Sequence, residues 1–140
     1  MSFPTSREFT SALLTKLANT SQAVGDGEAP ANASALLAAG SPYIVLHSLP
    51  ARAIDGPQSD INADGWLLYQ VTSVGVDRIQ AEWTREKCRT AILGATLPTA
   101  TGRKVMGPIN LEPQDVLRDD SVQPPVWMAV DYYTLATTPS

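Results

Sequence analysis

The sequence predicts an α+β domain in which two helices pack on one face of a small, mostly antiparallel four-stranded sheet. Two observations support this fold class. Two segments place apolar residues at the spacing of an amphipathic helix, and four segments show strand patterns, in the order α-β-β-α-β-β. The chain of 140 residues has the length of one domain, so we expect a single domain over residues 1–140.

The predicted elements are joined by a short turn at Gly75 and by longer loops, which are expected at 51–64, 94–102 and 118–125. The elements are a helix over 6–19, a connector over 21–40, strands over 43–49 and 66–74, a helix over 76–93, and strands over 104–111 and 126–136.

Helix boundary signals support both helices. Thr5 and Glu8 have the spacing of a capping box, which satisfies backbone N–H groups at a helix start. Gly75 ends the second strand, and Asp77 lies where the helix dipole favours an acid. Gly94 is a natural residue just beyond a helix end.

The segment 21–40 is rich in Ala, Gly and Ser. Asp26 and Gly27 form a turn signal, and Pro30 is incompatible with the interior of a helix. We therefore expect this segment to be a flexible connector within the domain.

Composition limits the classes of function. The chain has ten basic and fourteen acidic residues and a pI near 4.8, whereas tight binding to phosphate backbones needs clustered Lys and Arg. No segment has the length and apolarity of a membrane span, and the N-terminus does not resemble a signal peptide. Cys88, the single cysteine, excludes a disulfide within the chain.

Both faces of the predicted sheet are apolar, although two helices cover only one face. In the second strand Leu67, Tyr69 and Val71 point one way, and Trp66, Leu68 and Val74 point the other. A strand that is apolar on both faces is normally buried on both. The second face is covered either by the chain's own loops or by other copies of the chain, and we expect other copies to cover part of it.

The sequence shows no convincing catalytic or cofactor site. The stretch Asp60–Gly65 matches the opening of a calcium loop, but Val71 stands where the bidentate Glu should be, so an Asp-Gly turn is favoured. His47, the only histidine, is expected to be half-buried in a strand. Cys88 lies near arginines that would lower its pKa, yet a structural thiol is favoured. We therefore expect no enzyme activity, no metal and no cofactor.

With these elements in place, the chain resembles the tail terminator proteins of long-tailed bacteriophages. The likeness lies in four segments that occur in the expected order and cover about half of the chain. They are VGDGEAP (24–30), PYIVLHSLP (42–50), YQVTSVGVDRIQAEWTREKCRTAILG (69–94) and VWMAVDYYTLAT (126–137). Residues 95–122 carry no such likeness.

The resemblance implies a non-enzymatic ring, usually a hexamer, that caps the tail tube and stops its growth. Such a ring binds copies of itself, the major tail tube protein and a head–tail connector protein. DNA crosses its channel without specific binding, and the ring lies at the head–tail junction of the virion after assembly in the host cytoplasm. A phage neck or head-closure connector is the alternative, and a calcium-binding module built on residues 60–65 is a second. The expected contact residues are Asp55, Asp60, Asp64, Trp66, Trp127 and Tyr133.

Overall fold

The computed structural model describes residues 6–49, 52–53, 65–94, 98–100, 103–105, 108–121 and 125–139. These residues form an α+β fold, as predicted. The helices are α1 (Ser6–Ala18), α2 (Ala33–Ala38) and α3 (Arg78–Ile92). The strands are β1 (Ala23–Asp26), β2 (Tyr43–Ser48), β3 (Arg52–Ala53), β4 (Gly65–Gly75), β5 (Thr99–Ala100), β6 (Arg103–Val105), β7 (Asn110–Asp119) and β8 (Val126–Pro139).

All of these strands belong to one mixed sheet. Its order is β1-β2-β4-β8-β6-β5, in which β1 runs parallel to β2 and the other neighbours are antiparallel. β3 pairs with β4 beyond the end of β2, and β7 pairs with β8 beyond the end of β6. β4 and β8 are the long central strands, and every residue of β4 has a partner in β8.

The predicted four-stranded sheet with two helices was too small. The segment 21–40 was predicted to be a connector, but it contains β1 and α2, which link β1 to β2 in parallel. The predicted strand over 104–111 is instead divided between β6 and β7, with Pro108 between them. β7 then runs to Asp119, past the end of the predicted strand and into the first residues of the loop predicted at 118–125.

The five long periodic elements were predicted correctly to within a few residues. They are α1, β2, β4, α3 and β8. The proposed N-cap of α1, Thr5, lies outside the described residues.

The core lies between the sheet and the two longer helices. Phe9, Leu13 and Leu17 of α1 are fully buried, in one cluster with the sheet side chains Tyr69 and Tyr133. Burying each such side chain contributes roughly 1.5–3 kcal/mol. The same cluster includes Cys88 and Ile92 of α3, so both helices cover the same face of the sheet.

The β4–α3 junction is held by a reciprocal cap. The Asp77 carboxylate accepts a hydrogen bond from the Gln80 backbone N–H at 2.7 Å, and Gln80 Oε1 accepts one from the Val76 N–H at 2.8 Å. Gly75 is required here because a Cβ would lie 2.8 Å from the backbone nitrogen of Ala81. The cap and the close approach fix the direction in which α3 leaves the sheet.

Candidate interaction surfaces

The large apolar side chains that remain exposed fall mainly on two sides of the molecule. Trp66 and Leu117 are 39% and 57% exposed and lie on the face of the sheet that points away from α1 and α3. Ile79 and Trp83 are 79% and 48% exposed and lie on the outer side of α3. Each side is a candidate surface for binding another molecule.

We call the first surface the open face. It consists of alternate residues of the strands, whose neighbours along the chain point into the core. Its members are Tyr43, Val45 and His47 of β2, Trp66, Leu68, Gln70, Thr72 and Val74 of β4, and Met128, Val130, Tyr132, Thr134 and Ala136 of β8. β7 extends it with Asn110, Glu112 and Leu117, which pair with residues of β8 on this face.

One end of the open face forms an apolar groove of about 390 Å³. Trp66 and Leu68 form one wall, and Thr134 and Ala136 of β8 form the floor beside them. Pro108 and Asn110 close the opposite side. The groove is shallow and open, and it leaves the indole of Trp66 accessible to a partner.

The other end of the open face is partly covered. Burial raises the pKa of the Tyr43 hydroxyl, and the Asp119 carboxylate raises that pKa further. Val45 and Val74 are also buried there, although they face away from the helices.

The rim of the open face is acidic along β7. This strand and the residue after it carry Glu112, Asp115, Asp119 and Asp120, against one base, Arg118. Arg118 is paired with Asp120 at 2.9 Å. The rim therefore has a net negative charge.

We call the second surface the helix stripe and define it as Ile79, Trp83 and Lys87, which stand four residues apart on α3. The ammonium group of Lys87 lies 4.6 Å from the centre of the Trp83 ring, a cation–π contact. Beside the stripe, α3 and the end of α1 enclose a groove of about 640 Å³, which Lys16 also lines. The stripe is thus apolar with basic groups along its side.

The acids of α3 near the stripe are engaged by arginines. Glu82 pairs with Arg78 at 2.8 Å, and Glu86 pairs with Arg89 at 3.3 Å. These pairs leave Lys87 as the cation that lies directly on the stripe. The stripe and the β7 rim are therefore opposite in charge.

A buried ion pair attaches α3 to the sheet. Arg89 donates from Nε and Nη2 to the two carboxylate oxygens of Asp131, at 2.8 and 2.9 Å. The Asp131 side chain is only 1% exposed. This two-pronged contact sets the position of α3 over β8, and with it the position of the stripe.

The predicted contact residues have different fates. Trp66 lies on the open face and is accessible, and Trp127 is half-buried on the opposite side of β8. Tyr133 is fully buried in the core, so it offers no surface to a partner, and its assignment as a contact residue is corrected here. The other three predicted contacts, Asp55, Asp60 and Asp64, lie outside the described residues.

The two single residues considered for chemistry have ordinary structural surroundings. His47 is half-buried on the open face opposite Gln70, as predicted. Cys88 is fully buried, in line with the structural thiol favoured from the sequence, and burial raises the pKa of its thiol to about 11. Its sulfur lies 3.7 Å from the hydroxyl of Ser73. The thiol is therefore protonated and enclosed at neutral pH.

Neither a metal cluster nor a membrane-spanning helix is found in the described ranges. Within them, no three His, Cys, Asp or Glu side chains come together to hold a metal ion. No helix among these residues is long and apolar enough to cross a membrane. Residues 60–64 of the proposed calcium loop at 60–65 lie outside the described residues, so this loop stays a prediction.

Sequence reasoning missed the helix stripe and the acidic rim. Ile79 and Trp83 are apolar but exposed, and the residues that α3 buries are Ala81, Thr84, Cys88 and Ile92. The wide spread of apolar residues around this helix was the available signal. The acids of β7 were visible in the sequence, but the segment was not recognised as a strand.

No protein-family model matches the chain, and a search of curated proteins also finds no match. The resemblance to tail terminators therefore rests on the four sequence segments alone.

Proposed function

We propose that the chain is a tail terminator of a long-tailed bacteriophage. In this role it is a non-enzymatic subunit of a ring, a hexamer by family resemblance, that caps the tail tube at the head–tail junction. Its partners are copies of itself, the major tail tube protein and a head–tail connector protein. DNA crosses the ring without specific binding.

The observation that carries the proposal is the open face. Trp66 is 39% exposed there beside a groove lined by Leu68 and Ala136, and Leu117 is 57% exposed further along. Apolar surface removed from water contributes roughly 25 cal/mol per Å², so covering this face with a protein partner is favourable. An assembly subunit has such a surface because its neighbours complete its burial.

The charge of the chain supports a channel that does not retain DNA. The net charge is −4 over the whole chain. Acidic surfaces repel phosphates and so allow DNA to pass without being held.

Deleting the gene from the phage that encodes the chain tests the proposal. Electron microscopy of the lysate is expected to show tails without heads and of uncontrolled length. Supplying the wild-type chain from a plasmid should restore tails of uniform length, and a plasmid with an early stop codon should not.

The same images separate the alternative within the phage neck. Loss of a head-closure connector leaves tails of normal length beside filled or leaking heads. Tails of normal length in the deletion would therefore contradict the tail-terminator proposal.

A further inference from the structure

A subunit that binds copies of itself in a closed ring needs two different surfaces, one on each side. When the same patch contacts itself across a two-fold axis, assembly stops at a dimer. Two unlike surfaces that bind head to tail continue the assembly until it closes. The open face and the helix stripe are such a pair, because the strands and the helices place them on opposite sides of the molecule.

We propose that the helix stripe of one copy of the chain docks on the open face of the next copy. This inference rests on the proposed ring and deepens it by naming the two surfaces in contact. Ile79 and Trp83 pack against the groove at Trp66 and Leu68 of the neighbouring copy. The second copy uses its own open face to receive a third.

Charge complementarity supports a second copy as the occupant. Lys87 lies on the stripe, and the groove beside it is lined by two bases, Lys16 and Lys87, and one acid, Glu86. Glu112 and Asp119, by contrast, flank the open face. An apolar centre with oppositely charged rims is the arrangement that favours association and fixes its orientation.

The same charges disfavour the two-fold alternative. Two open faces packed on each other would bring the acidic β7 rims of both copies into one interface. Like charges placed together cost free energy and reject that partner. The stripe offers the open face a basic surface in place of a second acidic rim.

Pairing of β7 edges from two copies is also disfavoured. Pro113 lacks an N–H group, and the register of β7 against β8 shifts between Pro113 and Val116. A bulge of this kind twists the edge and interrupts the row of groups that another strand would need. Side-chain surfaces, rather than strand edges, therefore form the proposed contact.

Two variants, each defective in one surface, test the inference. Trp66→Ala damages the open face and leaves the stripe intact, and Ile79→Glu damages the stripe and leaves the open face intact. The first change adds no charge, so the two damaged surfaces cannot attract each other in the mixture. Alone, each variant is expected to weaken self-association at least about tenfold. Mixed, they are expected to form a one-to-one pair of twice the 14.9 kDa chain mass that grows no further.

Sedimentation velocity with one variant fluorescently labelled measures this pairing. Ser11→Glu is the matched control, because it adds the same charge at an exposed position of α1 away from the groove. It should associate like the wild type. If Trp66→Ala does not fold, Leu117→Ser damages the same face at a more exposed position and also adds no charge.

Three results would overturn the inference. They are a wild-type chain that stays monomeric at millimolar concentration, a mixture that associates no better than each variant alone, and a control that is as defective as Ile79→Glu. The outcome is separable from the proposed function. Pairing of the two variants together with normal tails in the gene deletion would keep this contact and reject the tail terminator. Uncontrolled tail length in the deletion, together with no pairing of the two variants, would keep the tail terminator and reject this contact.

Discussion

At the scale of single residues, the Arg89–Asp131 pair shows how a charge becomes tolerable inside the fold. The Asp131 side chain is 1% exposed, and both of its oxygens accept hydrogen bonds from one guanidinium group. Such a pair adds little to the stability of the fold relative to a pair of apolar side chains, but removing one partner leaves the other charge without its main partner. The contribution of this pair to stability therefore depends on its bidentate geometry, which satisfies both oxygens of Asp131.

Replacing Asp131 by Ala is expected to lower the free energy of unfolding by about 3 kcal/mol, because Arg89 loses both hydrogen bonds to that carboxylate in a mostly buried site and keeps only its longer contact with Glu86. Urea unfolding monitored by circular dichroism measures the change. Glu82→Ala is the matched control, since it removes an acid from the exposed Arg78–Glu82 pair and should cost less than about 0.5 kcal/mol. Equal losses in the two variants would contradict this account.

Cys88 makes stability depend on pH in the alkaline range. Burial raises the pKa of its thiol from the ordinary 9.0 to about 11. Between these values the unfolded chain loses the proton while the folded chain keeps it. The contribution of this thiol is therefore complete below about pH 9 and is lost as the pH rises towards about 11, by roughly 2–3 kcal/mol in total.

The difference between wild type and Cys88→Ala isolates this effect, because both chains share the same tyrosines. Urea unfolding from pH 8 to pH 11 should show a steeper loss of stability in the wild type. Parallel profiles for the two proteins would show that the thiol titrates normally in the fold.

At the scale of elements, the start of α3 depends on side-chain capping, whereas the start of α2 does not. Asp77 accepts a hydrogen bond from the Gln80 N–H, but Asn32, at the start of α2, makes no side-chain cap. Asp77→Ala is therefore expected to cost about 1 kcal/mol of unfolding free energy. Asn32→Ala is the control and should change stability by much less, as measured by thermal and urea unfolding. A comparable loss at both positions would mean that the cap bond contributes nothing specific.

Elements with a clear period were predictable from sequence, and those without one were not. α1 and α3 show helical spacing, and β2, β4 and β8 are apolar runs with clear boundaries. β1 has only four residues, and α2 lies in an Ala-rich segment without buried residues, so neither has a periodic signal. β7 is an edge strand with most of its side chains exposed, so the polar composition that suggests a loop is also compatible with its position.

At the scale of the whole molecule, the sequence predicted two apolar faces but not which residues the helices cover. Alternation along β8 separates Met128, Val130 and Tyr132 from Tyr133, and this separation is correct. Only the packing of α1 and α3 shows that Tyr133 belongs to the covered set. The alternation of β4 likewise opposes Trp66 to Leu67, and only the structure shows that Trp66 is on the side away from the helices.

The three tryptophans report on assembly of the whole chain. In single-tryptophan variants, with the others changed to Phe, the exposed Trp66 and Trp83 should become less accessible to iodide quenching as concentration rises. Trp127, half-buried and outside both proposed surfaces, is the internal control and should change little. Fluorescence quenching across a dilution series makes the measurement, and a change confined to Trp127 would place the contact elsewhere.

The proline and the bulge in β7 affect the tendency of the protein to aggregate at high concentration. A protein that binds copies of itself can also pair the exposed edges of its sheets and grow into fibres. Pro113 and the register shift after it interrupt one long edge of the sheet, so strand pairing along that edge is unfavourable. Association through side-chain surfaces, whose geometry limits the number of subunits, is favoured instead. Pro113→Val would restore a backbone N–H group in this edge strand and is therefore expected to increase aggregation through strand pairing.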